Sequence, residues 1–173
     1  MSTVYLLMGL PGSGKSTFTK RFVKENHNMC IVNRDMIRTS LKYEYVFDFA
    51  YEDTVAEIAN STMSILLKNG YDVIVDETHI KRARRLAVVR LAGDAKVICV
   101  AFKAENNLKN RMTDGRGYDE SKWRSVIEGM KKTRDPVNTR IEHFDEFWFT
   151  EDMGKTFVKG KSAINKWNSN VND

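Results

Sequence analysis

The stretch Gly9-Leu10-Pro11-Gly12-Ser13-Gly14-Lys15-Ser16-Thr17 decides the fold. It fits G-x-x-x-x-G-K-[ST] in full and sits between an apolar run, Val4–Met8, and a helical stretch from Lys15 to about Asn26. That strand–loop–helix setting is the one the motif requires. The glycines let the backbone curl so that successive N–H groups point at phosphate oxygens. The helix that begins at Lys15 offers its free N–H groups and positive dipole end to the same anion. The expected nucleotide contacts are therefore Gly9, Pro11, Gly12, Ser13, Gly14, Lys15, Ser16 and Thr17. Lys15 is expected to reach the β- and γ-phosphates, and the Ser16 hydroxyl to ligate Mg²⁺. The motif predicts binding of a nucleoside triphosphate and is silent on what is done with it.

Outward from the loop, strands and helices alternate. Met29–Asn33 is a second short apolar run, and a helix around Glu52–Lys68 carries Val55, Ile58, Ala59, Met63, Leu66 and Leu67 on one face. Asn69-Gly70 ends it. Val73–Val75 reads as a third strand, Lys81–Leu91 as a helix and Val97–Phe102 as a fourth strand. A short helix over Asn106–Met112 is expected to break at Gly115 and Gly117. A further helix over about Glu120–Lys132 has the stripe Trp123, Val126, Ile127, Met130 and ends at Asp135-Pro136. Phe147–Thr150 fits a fifth strand. Beyond Gly154 the pattern supports no assignment, and the terminal NSNVND reads as frayed. Short buried strands alternating with helices predict an α/β fold of the P-loop nucleoside-triphosphate hydrolase type, with a parallel sheet of about five strands flanked by helices. No repeat or low-complexity segment interrupts it, so one domain is expected over residues 1–173, with a lid at about 111–134.

Composition narrows the setting. Hydrophobic residues are 42% and charged residues 29%, the balance of a soluble globular chain. Cys30 and Cys99 lie in apolar runs without metal-ligand or disulfide spacing, which predicts two buried reduced thiols. The first apolar stretch, VYLLMG, is too short for a signal peptide and lacks a basic leader, and no run reaches membrane-spanning length. A cytoplasmic location without membrane contact is expected. The net charge of +5 favours an anionic partner, which ATP already supplies. The cluster Lys81–Arg90 (KRARRLAVVR) reads equally as a polyphosphate footprint or as solvated helix faces.

Three groups of residues bear on the chemistry. No guanine-selecting N-K-x-D segment is present, which argues against a GTPase. Val73-Ile74-Val75-Asp76-Glu77 resembles the strand of a remodelling ATPase, in which Asp76 would hold a metal-bound water and Glu77 would activate the attacking one. A small phosphotransferase instead needs a base for an acceptor hydroxyl and arginines that close over phosphates. Asp35 follows the second strand, where a parallel sheet presents ligand-facing residues, and Arg38 lies one turn on along the same helical face. The pair fits a base beside a phosphate clamp. It also fits a helix-capping Asp with an i,i+3 ion pair contributing about 0.3 kcal/mol. Arg111 and Arg116 bracket a Gly-containing polar segment, as in a closing lid or an ordinary basic loop. Tyr43, Tyr45, Phe47, Phe49 and Tyr51 alternate beside Lys42. Such a run either stacks on bases beside a groove or pins a loop or short strand to the core by one aromatic face.

Taken together, GLPGSGKST, NRDMIR, VDETHIKRARR and NRMTDGRG followed by a basic helix resemble, in order and spacing, the 5′-hydroxyl kinase domain of bacteriophage and bacterial polynucleotide kinases. The resemblance covers roughly Thr3–Lys132. It implies a nucleoside-kinase-like P-loop fold that uses ATP and Mg²⁺ to phosphorylate a 5′-hydroxyl of DNA or RNA. It implies that Asp35 is the general base, that Arg38 contacts the phosphate 3′ of the acceptor nucleoside, and that Lys15 and Ser16 handle phosphate and metal. Arg116 becomes the lid arginine, with Arg111 on the nucleotide, and Asp76, Glu77 and Thr78 line the acceptor pocket. The essential carboxylate there aligns with either Asp76 or Glu77. Departures are His79 where Asn is frequent, one extra residue between Arg111 and Arg116, and no D-x-D-G-T phosphatase motif. Relatives of this fold also phosphorylate nucleotides, sugars, aminoacyl-tRNA side chains and hydroxymethylated bases in DNA, so other hydroxyl acceptors remain open.

Overall fold

The computed structural model describes residues 1–103, 111 and 116–172. Along the chain come β1 (Thr3–Met8), α1 (Lys15–Glu25), β2 (Met29–Val32), α2 (Arg34–Lys42), α3 (Phe49–Lys68), β3 (Asp72–Val75) and α4 (Arg82–Ala92). There follow β4 (Lys96–Phe102), α5 (Glu120–Lys132), β5 (Glu146–Thr150), β6 (Val158–Lys159) and α6 (Lys161–Asn172). The helix expected over Asn106–Met112 and the break at Gly115 lie, Arg111 apart, outside the described residues.

The strands form one sheet in the order β2-β3-β1-β4-β5-β6. The first five are parallel, and β6 pairs antiparallel with β5. β1 lies between β3 and β4, with Val4 in register with Val73 on one side and Val97 on the other. Its Val4, Leu6, Leu7 and Met8 are fully buried, as both faces of a central parallel strand must be. Leu7 points to a cluster with Phe18 of α1, whereas Leu6 and Met8 join Ile127 of α5 and Trp167 of α6 on the opposite face. The chain leaves β1 for β2, returns to β3, then crosses to β4. That reversal of strand order opens a crevice at the carboxyl edge of β1, where ligands of such sheets bind.

The sheet therefore has six strands rather than about five. The segment without an assignment supplies β6 and α6, and the terminus expected to fray is helical through Asn172. Ala163 and Trp167, four residues apart, are buried against the sheet and hold it there. The alternating aromatics do not form a strand. α2 ends at Tyr43, φ 60°, and α3 starts at Phe49 behind an Asp48 cap, three residues earlier than its apolar periodicity predicts. Cys99 is buried in β4 and Cys30 half-buried in β2, both free thiols. Among the described residues no helix is long and apolar enough to cross a membrane.

Candidate active site

The phosphate loop follows β1 and is closed by its own chain. A Cβ on Gly9 would lie 2.8 Å from Ser13 Oγ and 3.0 Å from the Phe102 carbonyl. Gly14, φ 93°, caps α1 in the left-handed region, and a Cβ there would meet Met153 Cγ at 2.5 Å. Gly12 also has positive φ, 83°. The Lys15 ammonium is buried and donates to the carbonyls of Gly9 and Leu10, 2.9 Å each, and to Ser13 Oγ at 3.3 Å. Burial lowers its pKa to about 8, against the opposing pull of Asp76. Ser16 and Thr17 are exposed at the first turn of α1.

Asp76 leaves the end of β3, buried, and desolvation raises its pKa while Lys15, Ser16 and Thr19 hold it down. Its backbone carbonyl accepts from Asn33 Nδ2 at 2.9 Å, tying β3 to the start of α2. Asn33, not Asp35, caps α2, accepting from Met36 N at 3.0 Å. The capping alternative for Asp35 is therefore wrong, although the i,i+3 ion pair is present. Arg38 Nη1 donates to Asp35 Oδ1 at 2.5 Å, and Arg116 Nη2 donates to Asp35 Oδ2. Arg38 also grips Glu52 of α3 through Nε and Nη2, both at 2.7 Å. That charge-assisted fork raises the Arg38 pKa and lowers that of Glu52. The Arg116 guanidinium lies 4.4 Å from the Tyr45 ring centroid and 5.4 Å from that of Trp123. Arg111 approaches the Trp123 ring at 5.5 Å.

Beyond Asp76, Glu77 pairs with Arg34 Nε at 3.2 Å, and the Thr78 carbonyl accepts from Gly9 N at 2.9 Å. His79 is buried with φ 39°, a conformation rare for a side-chain-bearing residue. Its Nδ1 donates to the Leu7 carbonyl at 2.8 Å, and burial lowers its pKa. A single cavity of about 630 Å³ joins these walls. Pro11, Lys15, Ser16, Asp35 and Arg38 line it, together with Asp76, Glu77, Thr78, Arg111 and Arg116. Gly9, Gly12, Ser13, Gly14 and Thr17 shape the loop behind it.

The basic cluster of α4 divides. Lys81 and Arg84 are exposed on the cavity rim, whereas Arg85 is fully buried. Arg85 binds Glu142 at 2.5 and 3.0 Å and donates to the carbonyls of His79, Ile80, Asp135 and Pro136 at 3.1–3.2 Å. It is neither footprint nor solvated face. Glu52, Arg34 and Met153 were not anticipated. Nothing in local spacing marks Glu52, which reaches Arg38 only because the chain turns between α2 and α3.

Fold and cavity together define a P-loop domain whose phosphate loop shares one cavity with a carboxylate–arginine cluster. The chain belongs to the AAA domain family, which matches residues 4–137. It is similar to an L-seryl-tRNA(Sec) kinase of Methanococcus maripaludis, 29% identical over 146 residues, or 81% of this chain and 51% of the relative. The chain thus spans about half the length of that protein. A chain of the Pnkp1/Rnl/Hen1 complex is 26% identical with a TM-score of 0.57, covering 65% of this chain and 38% of that one. A fungal RNA kinase shares the fold at a TM-score of 0.63 and 15% identity, over 99% of this chain and 82% of that one.

Proposed function

We propose that the protein transfers the γ-phosphate of ATP to a hydroxyl of a nucleic acid, most simply the 5′-hydroxyl of DNA or RNA. One observation carries this reading: the Asp35 carboxylate, held at both oxygens by arginines, shares one cavity with the phosphate loop and Lys15. A hydrolase would leave such a carboxylate and its second cavity wall without a task. The rival use of Glu77 to activate water is weakened by its ion pair with Arg34.

In this mechanism Lys15 turns from its loop carbonyls to the β- and γ-phosphates. Arg116 exchanges Asp35 for the γ-phosphoryl oxygens, as a closing arginine does. Asp35 Oδ2 is then open to take the acceptor proton. The acceptor oxygen bonds to phosphorus as the bond to the β-phosphate oxygen breaks, and ADP leaves. Ser16 and Asp76 offer hard oxygen ligands side by side, which suits Mg²⁺, an ion that takes few protein ligands beside substrate phosphates. When bound, the ion neutralises phosphate charge. Arg38 keeps two N–H donors beyond those used by Glu52 and Asp35, enough to grip a phosphate 3′ of the acceptor.

A second reading rests on the 29% identity to an L-seryl-tRNA(Sec) kinase: the hydroxyl belongs to an aminoacyl side chain on tRNA. Incubation with γ-labelled ATP separates the readings. Label on the end of a 5′-hydroxyl oligonucleotide supports the first, and label on seryl-tRNA the second. Label released as free phosphate regardless of acceptor overturns both.

A further inference from the structure

The cavity does not end at Asp35. Its lining also takes in two unlike groups: Phe47 and Phe49, where the chain turns from α2 into α3, and Lys81 and Arg84 at the start of α4. Phe47 and Phe49 are 46% and 85% exposed, and their rings meet edge to face at 5.2 Å. Arg38 backs Phe47 from within the cavity at 5.4 Å. Two exposed aromatics cost solvation free energy that core packing does not recover, because neither belongs to a core cluster.

We propose that Phe47 and Phe49 form a stacking platform for an unpaired base adjoining the reacting nucleotide, with Lys81 and Arg84 receiving its backbone phosphates. This rests on the reading that the acceptor is a nucleic acid, and adds that the acceptor is single-stranded where it leaves the cavity. The occupant follows from the pairing of these groups. Exposed aromatic faces, one ring buttressing the other edge-on, share the reaction cavity with two basic side chains and match a chain that carries both bases and anions. A protein partner of ordinary composition has no need of that combination. A paired base shows its faces only to its stacked neighbours, so a duplex does not satisfy the platform.

The test is binding of a fluorescent thymidine decamer with a 5′-hydroxyl, without ATP, followed by anisotropy for the wild type, the double variant Phe47→Ala/Phe49→Ala, and Phe47→Trp/Phe49→Trp. Stacking predicts that the alanine variant binds about 5- to 150-fold more weakly per lost base contact. The tryptophan variant retains affinity. A decamer abasic at the second nucleotide weakens the wild type to the same degree and leaves the alanine variant unaffected. Affinity for a mononucleoside 3′-phosphate is the same in all three proteins. Equal decamer binding by wild type and alanine variant overturns the proposal, as does a wild type indifferent to the abasic site. So does sedimentation showing that the alanine change only dissociates a dimer. If binding behaves as predicted but no label reaches the oligonucleotide 5′ end, the platform stands and the acceptor assignment falls.

Discussion

Among the arginine–carboxylate contacts of the described residues, two clusters are built from the same kinds of group and set in opposite surroundings. Arg85 with Glu142 is fully buried, and its remaining donors end on four backbone carbonyls. Asp35 with Arg38 and Arg116 lies on a cavity wall, and the Asp35 side chain remains 38% exposed. The first joins the β3–α4 loop to the turn after α5, so every bond it makes is part of the scaffold. The second makes exchangeable bonds, because phosphate oxygens can replace a carboxylate as partner of either arginine. Burial, not residue type, separates structural charge from charge available to a substrate.

The sharpest way to break that contrast is Asp35→Asn. If Asp35 is the base, the transfer rate falls by about 10²–10⁴. ATP affinity and thermal midpoint barely move, since the side chain is partly exposed and isosteric. Wild-type transfer by this variant would remove Asp35 from the mechanism. Glu142→Gln should do the reverse. Leaving Arg85 buried and uncompensated costs about 3–5 kcal/mol, a fall of roughly 6–20 °C in melting temperature for a chain this size. Replacing both partners, Arg85→Met with Glu142→Leu, should restore much of that loss. A double variant no more stable than Glu142→Gln would mean that the carbonyl contacts, rather than the ion pair, carry the cluster.

The two clusters were unequally legible in the sequence. Asp35 and Arg38 stand out because they share a helical face directly after a strand, so local spacing brings them together. Glu52 is 14 residues from Arg38, and Glu142 is 57 from Arg85, and each pairing depends on tertiary packing that no local period encodes. The same reason hid α6. Its apolar positions Ala163, Ile164 and Trp167 are few in a polar stretch, and only the waiting surface of β5 and β6 makes them a helix face. The phosphate loop was legible in full, since its glycines, lysine and flanking elements are all contiguous. The aromatic run, which its period of two left open as a loop or a short strand, is a turn that leads into α3. Asp48 caps a helix inside it, and the cap overrides the alternation.

Arg38 tests the contrast from the substrate side. Glu52 fixes its Nε edge and Asp35 takes one Nη1 donor, leaving two donors for a phosphate. Arg38→Ala should raise KM about 10- to 150-fold for acceptors with a phosphate 3′ of the reacting nucleoside, the range for losing a charge-assisted hydrogen bond. An acceptor without that phosphate should lose much less. Equal losses on both would assign Arg38 to positioning Asp35 alone.

Lys15 falls between the two clusters: buried like Arg85, yet bonded only to neutral oxygens and poised for an anion. With a pKa near 8 in the folded protein against 10.5 in an unfolded chain, the sign is that of a penalised charge. Below pH 8 both states hold the proton and the penalty is complete. Between about pH 8 and 10.5 the unfolded state binds more protons, so stability rises with pH through Lys15. Nucleotide binding runs the other way, because phosphate restores the charged form. At pH 8.5, binding of ATP should draw up a fraction of a proton, measurable as a dependence of calorimetric enthalpy on the buffer's ionisation enthalpy. Lys15→Met should abolish the part that Lys15 contributes. Proton uptake unchanged in that variant would show that the ammonium is already charged at pH 8.5, and that its carbonyl partners compensate burial as completely as Glu142 does for Arg85.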